Sequence, residues 1–113
     1  MAETTIEKTT DDVAGALADG SATVVDVRER YEREAGFIPG SEHIELAELS
    51  ARAGEIPRER PVIFYCRVGS RSLMAAQAFR AAGYDATSLA GGIDAWHAEQ
   101  RPLEPSDGTV APH

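Results

Sequence analysis

The chain has a single cysteine, Cys66, and its neighbours decide what that thiol can do. Cys66 closes the apolar run from Pro61, and Arg67, Val68, Gly69, Ser70, Arg71 and Ser72 follow it. The apolar run reads as a buried strand, and the stretch from Ser70 to Ala82 reads as a helix. The thiol therefore sits where a strand must turn sharply into a helix. Gly69 supplies backbone conformations that other residues avoid. Successive N–H groups in such a turn can point inward as a nest, and the helix N-terminus adds partial positive charge. Arg67 and Arg71 add full charges. A thiol so placed is expected to be held as thiolate, the nucleophilic form, in an open cup that would also suit a persulfide anion.

A strand-end cysteine is also a common small buried hydrophobe. The Gly-containing, Arg-bearing loop and the helix behind it favour the nucleophile. Arg67 is expected to face solvent and an incoming reagent. Arg71 either attracts an anion too or makes a structural ion pair at the helix start. Ser70 is expected to cap the helix. Asp26 and Arg28, at the end of another strand, are expected to make mostly structural hydrogen bonds.

The elements that must position this loop alternate short apolar runs with helical stretches, the pattern of an α/β domain with a mainly parallel sheet. Thr4 to Ile6 is a short edge strand. Thr9 or Thr10 caps a helix with Asp11 and Asp12 in its first turn and Gly20 at its end. Ala22 to Val27 is a buried strand, and Arg28 to Glu34 a charged helical turn. Gly36 to Gly40 is a turn, His43 and Ile44 a very short strand, and Leu46 to Ala53 a helix. Pro61 to Cys66, apolar throughout, belongs at the sheet centre. Ala86 to Ala90 is the last strand, Gly91 and Gly92 a tight turn, and Ile93 to Glu99 the last helix. Residues 1–100 are expected to form one domain and 101–113, with Pro102, Pro105 and Pro112, a mobile tail.

The 113 residues carry 11 basic and 19 acidic side chains, a formal net charge of -8. That field disfavours nucleic acid and anionic membranes and slows anionic substrates, so any anion site must be built locally. One cysteine excludes an internal disulfide and a cysteine-based structural zinc site. His43, His97 and His113 have no metal-ligand spacing, and His97 is expected to be exposed; no metal or cofactor is implied. Met1 to Thr10 lacks the pattern of a signal peptide, no apolar run is long enough to span a membrane, and a lone thiol suits the cytoplasm.

Four segments, in order, resemble the motifs of the rhodanese family. Val24 to Glu29 (VVDVRE) is similar to the first strand motif, and Gly36 to Ile44 (GFIPGSEHI) to the turn that follows. Cys66 to Ser72 (CRVGSRS) resembles the active-site loop, and Leu89 to Trp96 (LAGGIDAW) the motif after the last strand. Phe37 and His43 depart from the residues usual there, His and Asn. The resemblance implies a five-stranded, mainly parallel sheet with helices on both faces. It also implies a sulfurtransferase in which Cys66 takes sulfane sulfur from thiosulfate as a persulfide and yields it to cyanide, a small thiol or a protein. Backbone amides from Arg67 to Ser72 would stabilise the anionic sulfur, and Arg67 and Arg71 would attract the donor.

Two other functions compete with this one. A persulfide relay or binding module would act with a protein partner. A cysteine phosphatase or arsenate reductase is the other: in the related dual-specificity phosphatases the loop runs Cys, five residues, Arg, whereas here four residues separate Cys66 from Arg71, and arsenate reduction would need an external thiol because the chain has no second cysteine. The shorter loop makes a smaller cup, suited to one sulfur atom rather than to a tetrahedral phosphate.

Overall fold

Along the central strand, Val62, Phe64 and Cys66 join one apolar cluster, and Ile63 and Tyr65 join another. This is the period-two alternation of a strand buried on both faces. The computed structural model describes residues 5–113. It holds five strands: β1 (Glu7–Lys8), β2 (Thr23–Asp26), β3 (Glu42–His43), β4 (Val62–Tyr65) and β5 (Ala86–Leu89). They form one sheet in the order β1-β5-β4-β2-β3, and every pairing is parallel. The helices are α1 (Thr10–Asp19), α2 (Arg30–Ala35), α3 (Leu49–Arg52), α4 (Ser70–Ala81) and α5 (Gly92–Ala98). The first cluster packs α3 and α4 on one face through Leu49, Ala75, Ala76 and Phe79. The second packs α1 and α5 on the other through Val13, Ala16, Ile93 and Trp96. This is the expected α/β architecture, with helices on both faces.

Local chemistry sets the element ends. Thr9 and Asp12 form a reciprocal cap at the start of α1, with Asp12 N–H donating to Thr9 Oγ1 at 3.1 Å and Thr9 N–H to Asp12 Oδ2 at 2.9 Å. Gly20 closes α1 in the left-handed conformation. From β4 the chain proceeds to β5 on one side, and from β2 to β3 on the other. The carboxyl ends of β2 and β4 thus flank the point where strand order reverses, the usual place for a site in such sheets. Asp26 ends β2 there, and Cys66 follows β4.

Three sequence expectations need correction. The edge strand is Glu7–Lys8, not Thr4 to Ile6; Thr4 lies outside the described residues. Leu46 to Ala53 is not one helix, because 3-10 turns at Leu46–Glu48 and Ala53–Glu55 bracket the single turn of α3. Packing also does not stop at residue 100. Leu103 is buried in the second cluster, and Trp96 Nε1 donates to Pro102 O at 2.8 Å. Glu104 pairs antiparallel with Phe37, and Thr109 N–H donates to Ala35 O at 2.9 Å. Prolines limited the sequence reading here, since they mark the absence of regular structure and not the absence of contact.

Candidate active site

Cys66 follows β4 on the side of the sheet covered by α4. Gly69 N–H donates to Cys66 Sγ at 3.1 Å, and Ser72 Oγ approaches the same sulfur at 3.5 Å. The turn that makes this possible runs through Gly69 at φ 109°, the residue preceding α4. A side chain there would be strained, and its Cβ would meet Gly91 N and Leu89 O at 3.5 Å. Ser72 is buried and further tied to Gly69 O at 3.2 Å and Ser88 Oγ at 2.7 Å.

The loop is clamped from the other side by α5. Ile93 N–H donates to Cys66 O at 2.9 Å and Asp94 N–H to Arg67 O at 3.0 Å. The first amides of a helix lack intrahelical partners, and here the loop carbonyls satisfy two of them. Gly92, at φ 58°, permits the approach, because a Cβ would lie 2.4 Å from Arg67 O and 2.5 Å from Cys66 O.

The expected open cup is not what the structure shows. Cys66 has a relative exposure of 0% and belongs to the apolar cluster. The alternation of β4 continues one residue beyond its end and turns the sulfur inward under α4. The cysteine is buried among apolar side chains, and backbone and hydroxyl donors aim at its sulfur.

The loop side chains divide sharply. Val68 is 53% exposed, at the crown of the loop. Ser70 is exposed and is the first residue of α4; the cap position is Gly69, which makes no side-chain cap bond, so the expected Ser70 cap is absent. Arg67 is part-exposed and ion-paired with Asp94, Nε to Oδ2 at 3.5 Å. Arg71, expected to attract an anionic donor, is instead held by both carboxylate oxygens of Glu32, at 2.8 and 2.9 Å. Burial pushes the Glu32 carboxyl up, but the Arg71 fork and the Glu29 amide outweigh it and hold the group below the usual carboxylate range. Arg71 is raised, first by its hydrogen bonds to Glu32 against the opposing effect of burial, and further by nearby Glu32, Cys66 and Asp26.

Asp26 and Arg28 play the structural part expected of them. Arg28 Nε and Nη2 donate to the two Asp26 oxygens at 2.9 and 2.8 Å, and Nη2 also reaches Gly36 O at 2.8 Å. His43 shares a 2.8 Å hydrogen bond with Arg28 O, and the Phe37 ring lies 3.7 Å from the Arg33 guanidinium carbon. Both departures from the family pattern thus touch arginines that pair with Asp26. Sequence reasoning passed over Glu32, Asp94 and Ser88. Only the closed fold shows which arginine each of Glu32 and Asp94 takes.

The described residues include no helix long and apolar enough to cross a membrane. The family model described as Rhodanese-like domain matches residues 9–99. A tRNA sulfurtransferase of Desulfurococcus amylolyticus is 36% identical over 81 residues, 70% of this chain but 16% of that protein. The chain thus spans under a fifth of that relative's length. A human thiosulfate:glutathione sulfurtransferase is 36% identical over 95 residues, 71% of this chain and 83% of that one. Among solved structures, a rhodanese-related protein from Thermoplasma volcanium superposes with a TM-score of 0.79 at 28% identity, covering 86% of this chain and 95% of that chain.

Proposed function

The chain belongs to the rhodanese-like domain family, and on that premise we propose that it moves sulfane sulfur from thiosulfate or a similar donor to a thiophilic acceptor through a persulfide on Cys66. The observation that carries this reading is the aim of the Gly69 N–H, at 3.1 Å, and the Ser72 hydroxyl, at 3.5 Å, on Cys66 Sγ. Donors fixed in advance on a sulfur stabilise negative charge there without reorganising.

In the first step Cys66 thiolate attacks the outer sulfur of thiosulfate. The sulfur–sulfur bond of the donor breaks, sulfite leaves with its electron pair, and Cys66 carries a persulfide. In the second step an acceptor thiolate, or cyanide in the test tube, attacks the terminal sulfur and Cys66 thiolate leaves. The buried sulfur requires the loop to yield at its exposed crown, Val68, before a donor can reach it. The named activity of the human relative supports thiosulfate as donor and a small thiol as acceptor. A protein thiol would serve as acceptor in the same second step. A lone thiol suits the reducing conditions of the cytoplasm. Phosphatase chemistry fits poorly, because Arg71, the arginine that would fork a phosphate, already forks Glu32.

Intact-mass spectrometry of the reduced protein after incubation with thiosulfate tests the reading. The expected result is a gain of one sulfur atom, reversed by cyanide or a thiol and absent in Cys66→Ala. No gain from thiosulfate or from a cysteine desulfurase would overturn it.

A further inference from the structure

A cavity of about 390 Å³ lies between α4 and the broken helical segment that runs from Leu46 to Glu55. That size falls in the span of roughly 300–1,000 Å³ usual for small-molecule sites, and the wall has their chemistry, mostly apolar with few polar groups. Leu46, Leu49, Met74, Ala78, Phe79 and Tyr84 line it, and Ser50 adds a hydroxyl. The room exists because α4 faces two 3-10 turns and the single turn of α3, in place of a continuous helix that could interdigitate with it. Met74 stands in this wall 60% exposed, more than any other large hydrophobic side chain among the described residues. Covering that apolar surface is favourable.

Along α4 the cavity runs from Met74 to Ala82, and its far end carries a charge. Arg58 lies against both residues that line this end. Its guanidinium carbon is 4.4 Å from the centroid of the Tyr84 ring, and Nη1 and Nη2 each donate to Ala82 O at 3.0 Å. Arg58 is exposed and, among the described residues, has no carboxylate partner. On the facing segment Glu48 and Glu55 both pair with Arg52. An apolar hollow with an unneutralised cation at one rim complements an apolar chain that ends in an anion. The planar guanidinium fork suits a carboxylate in particular.

We propose that this cavity binds a medium-chain aliphatic carboxylate, with the chain against Leu46, Leu49, Met74 and Phe79 and the carboxylate on Arg58. Binding here requires no reaction at Cys66.

NMR titration of the ¹⁵N-labelled full chain tests the site, with decanoate, decanol and decyltrimethylammonium as probes below their micelle-forming concentrations. Decanoate is expected to bind saturably and to shift the amides of Ala53, Ala78 and Tyr84, but not that of Gly15 on the other face of the sheet. It should bind at least fivefold more tightly than decyltrimethylammonium, against the overall field of a chain of net charge -8. Arg58→Gln should lower the decanoate-to-decanol affinity ratio about two- to fivefold, the range of an exposed ion pair, and Arg58→Lys should keep it. Ala78→Leu projects from an exposed helix position into the hollow and should weaken decanoate and decanol alike at least tenfold without lowering the melting temperature. Absent or unsaturable decanoate binding, shifts away from these amides, or equal or tighter binding of the ammonium probe overturns the proposal. So does a decanoate-to-decanol ratio that Arg58→Gln leaves unchanged. Sedimentation that shows a dimer, lost in Ala78→Leu, would assign the face to a second copy of the chain and overturn it as well.

Discussion

Glu32, fully buried on α2, grips both terminal nitrogens of Arg71 in the first turn of α4, at 2.8 and 2.9 Å. The pair ties a helix beside β2 to the helix whose start surrounds Cys66. Removing one partner strands the other. Arg71→Ala leaves a buried carboxylate unpaired, and urea unfolding should show a loss of about 2–4 kcal/mol, somewhat below a fully buried pair because Arg71 keeps some exposure. Glu32→Gln should cost less, since Arg71 can turn to solvent. A loss under about 0.5 kcal/mol for Arg71→Ala, within the scatter of ordinary surface changes, would show that the pair does not brace the loop.

The same pair gives a pH dependence whose sign follows from the depressed Glu32 carboxyl. A group with a lower pKa in the folded state stabilises the fold fully above its unfolded value and loses that contribution as the pH falls through the folded value. Wild-type stability should therefore drop on acidification below the ordinary glutamate range, near pH 4.5. Glu32→Gln should drop less steeply over the same interval. Parallel curves of stability against pH from 6 to 3 would refute the assignment.

On the proposed function, Cys66 serves sulfur transfer as well as packing. Its alanine variant should fail to gain sulfur and should also lose about 1–2 kcal/mol, the order expected for removing a buried atom from an apolar cluster. Cys66→Ser, close in shape, keeps an atom for the Gly69 N–H to meet and should lose sulfur loading as completely. Loading retained by either variant would place the sulfur elsewhere. Thermal melts run beside the mass measurement separate the two roles.

The loop and the sheet were legible because they rest on local rules. Pro61 to Cys66 is apolar on both faces, so it reads as a central strand wherever it occurs, and Gly69 marks the turn. The direction of the Cys66 side chain was not legible. The cysteine sits one residue past Tyr65, and only the continued alternation of the strand decides that its sulfur points under α4 and not into an open cup. The partners of the two loop arginines were hidden for a different reason. Arg71 and Glu32 are 39 residues apart, and nothing in the stretch Arg28 to Glu34 distinguishes the one buried glutamate from its exposed neighbours. Long-range ion pairs are a property of the closed fold.

Gly15, inside α1, offers a control that leaves the site alone. A Cβ added there meets nothing within 4 Å, and the position is exposed. Gly15→Ala should stabilise the protein by about 0.5–1 kcal/mol, through helix propensity and a less disordered unfolded chain. Sulfur loading should not change. A destabilised variant would mean that α1 is packed against something at this face.

Gly92 is the opposite case and the sharpest test of how the loop is held. Its φ of 58° strains any other residue, and its Cβ would lie 2.4 Å from Arg67 O and 2.5 Å from Cys66 O. Both atoms are backbone, so no flexible side chain can swing aside, and α5 must retreat from the loop. The Ile93 and Asp94 amides would then release the carbonyls they hold at 2.9 and 3.0 Å. Gly92→Ala should lose about 2–4 kcal/mol of stability from strain and clash together. Freed from α5, the loop should also lose the fixed aim of its donors on Cys66. In protein that remains folded below its lowered melting temperature, persulfide loading should fall at least tenfold, with amide hydrogen exchange faster at Gly69, Ile93 and Asp94. A variant that folds less stably but loads sulfur at the wild-type rate would show that the grip of α5 serves the fold alone.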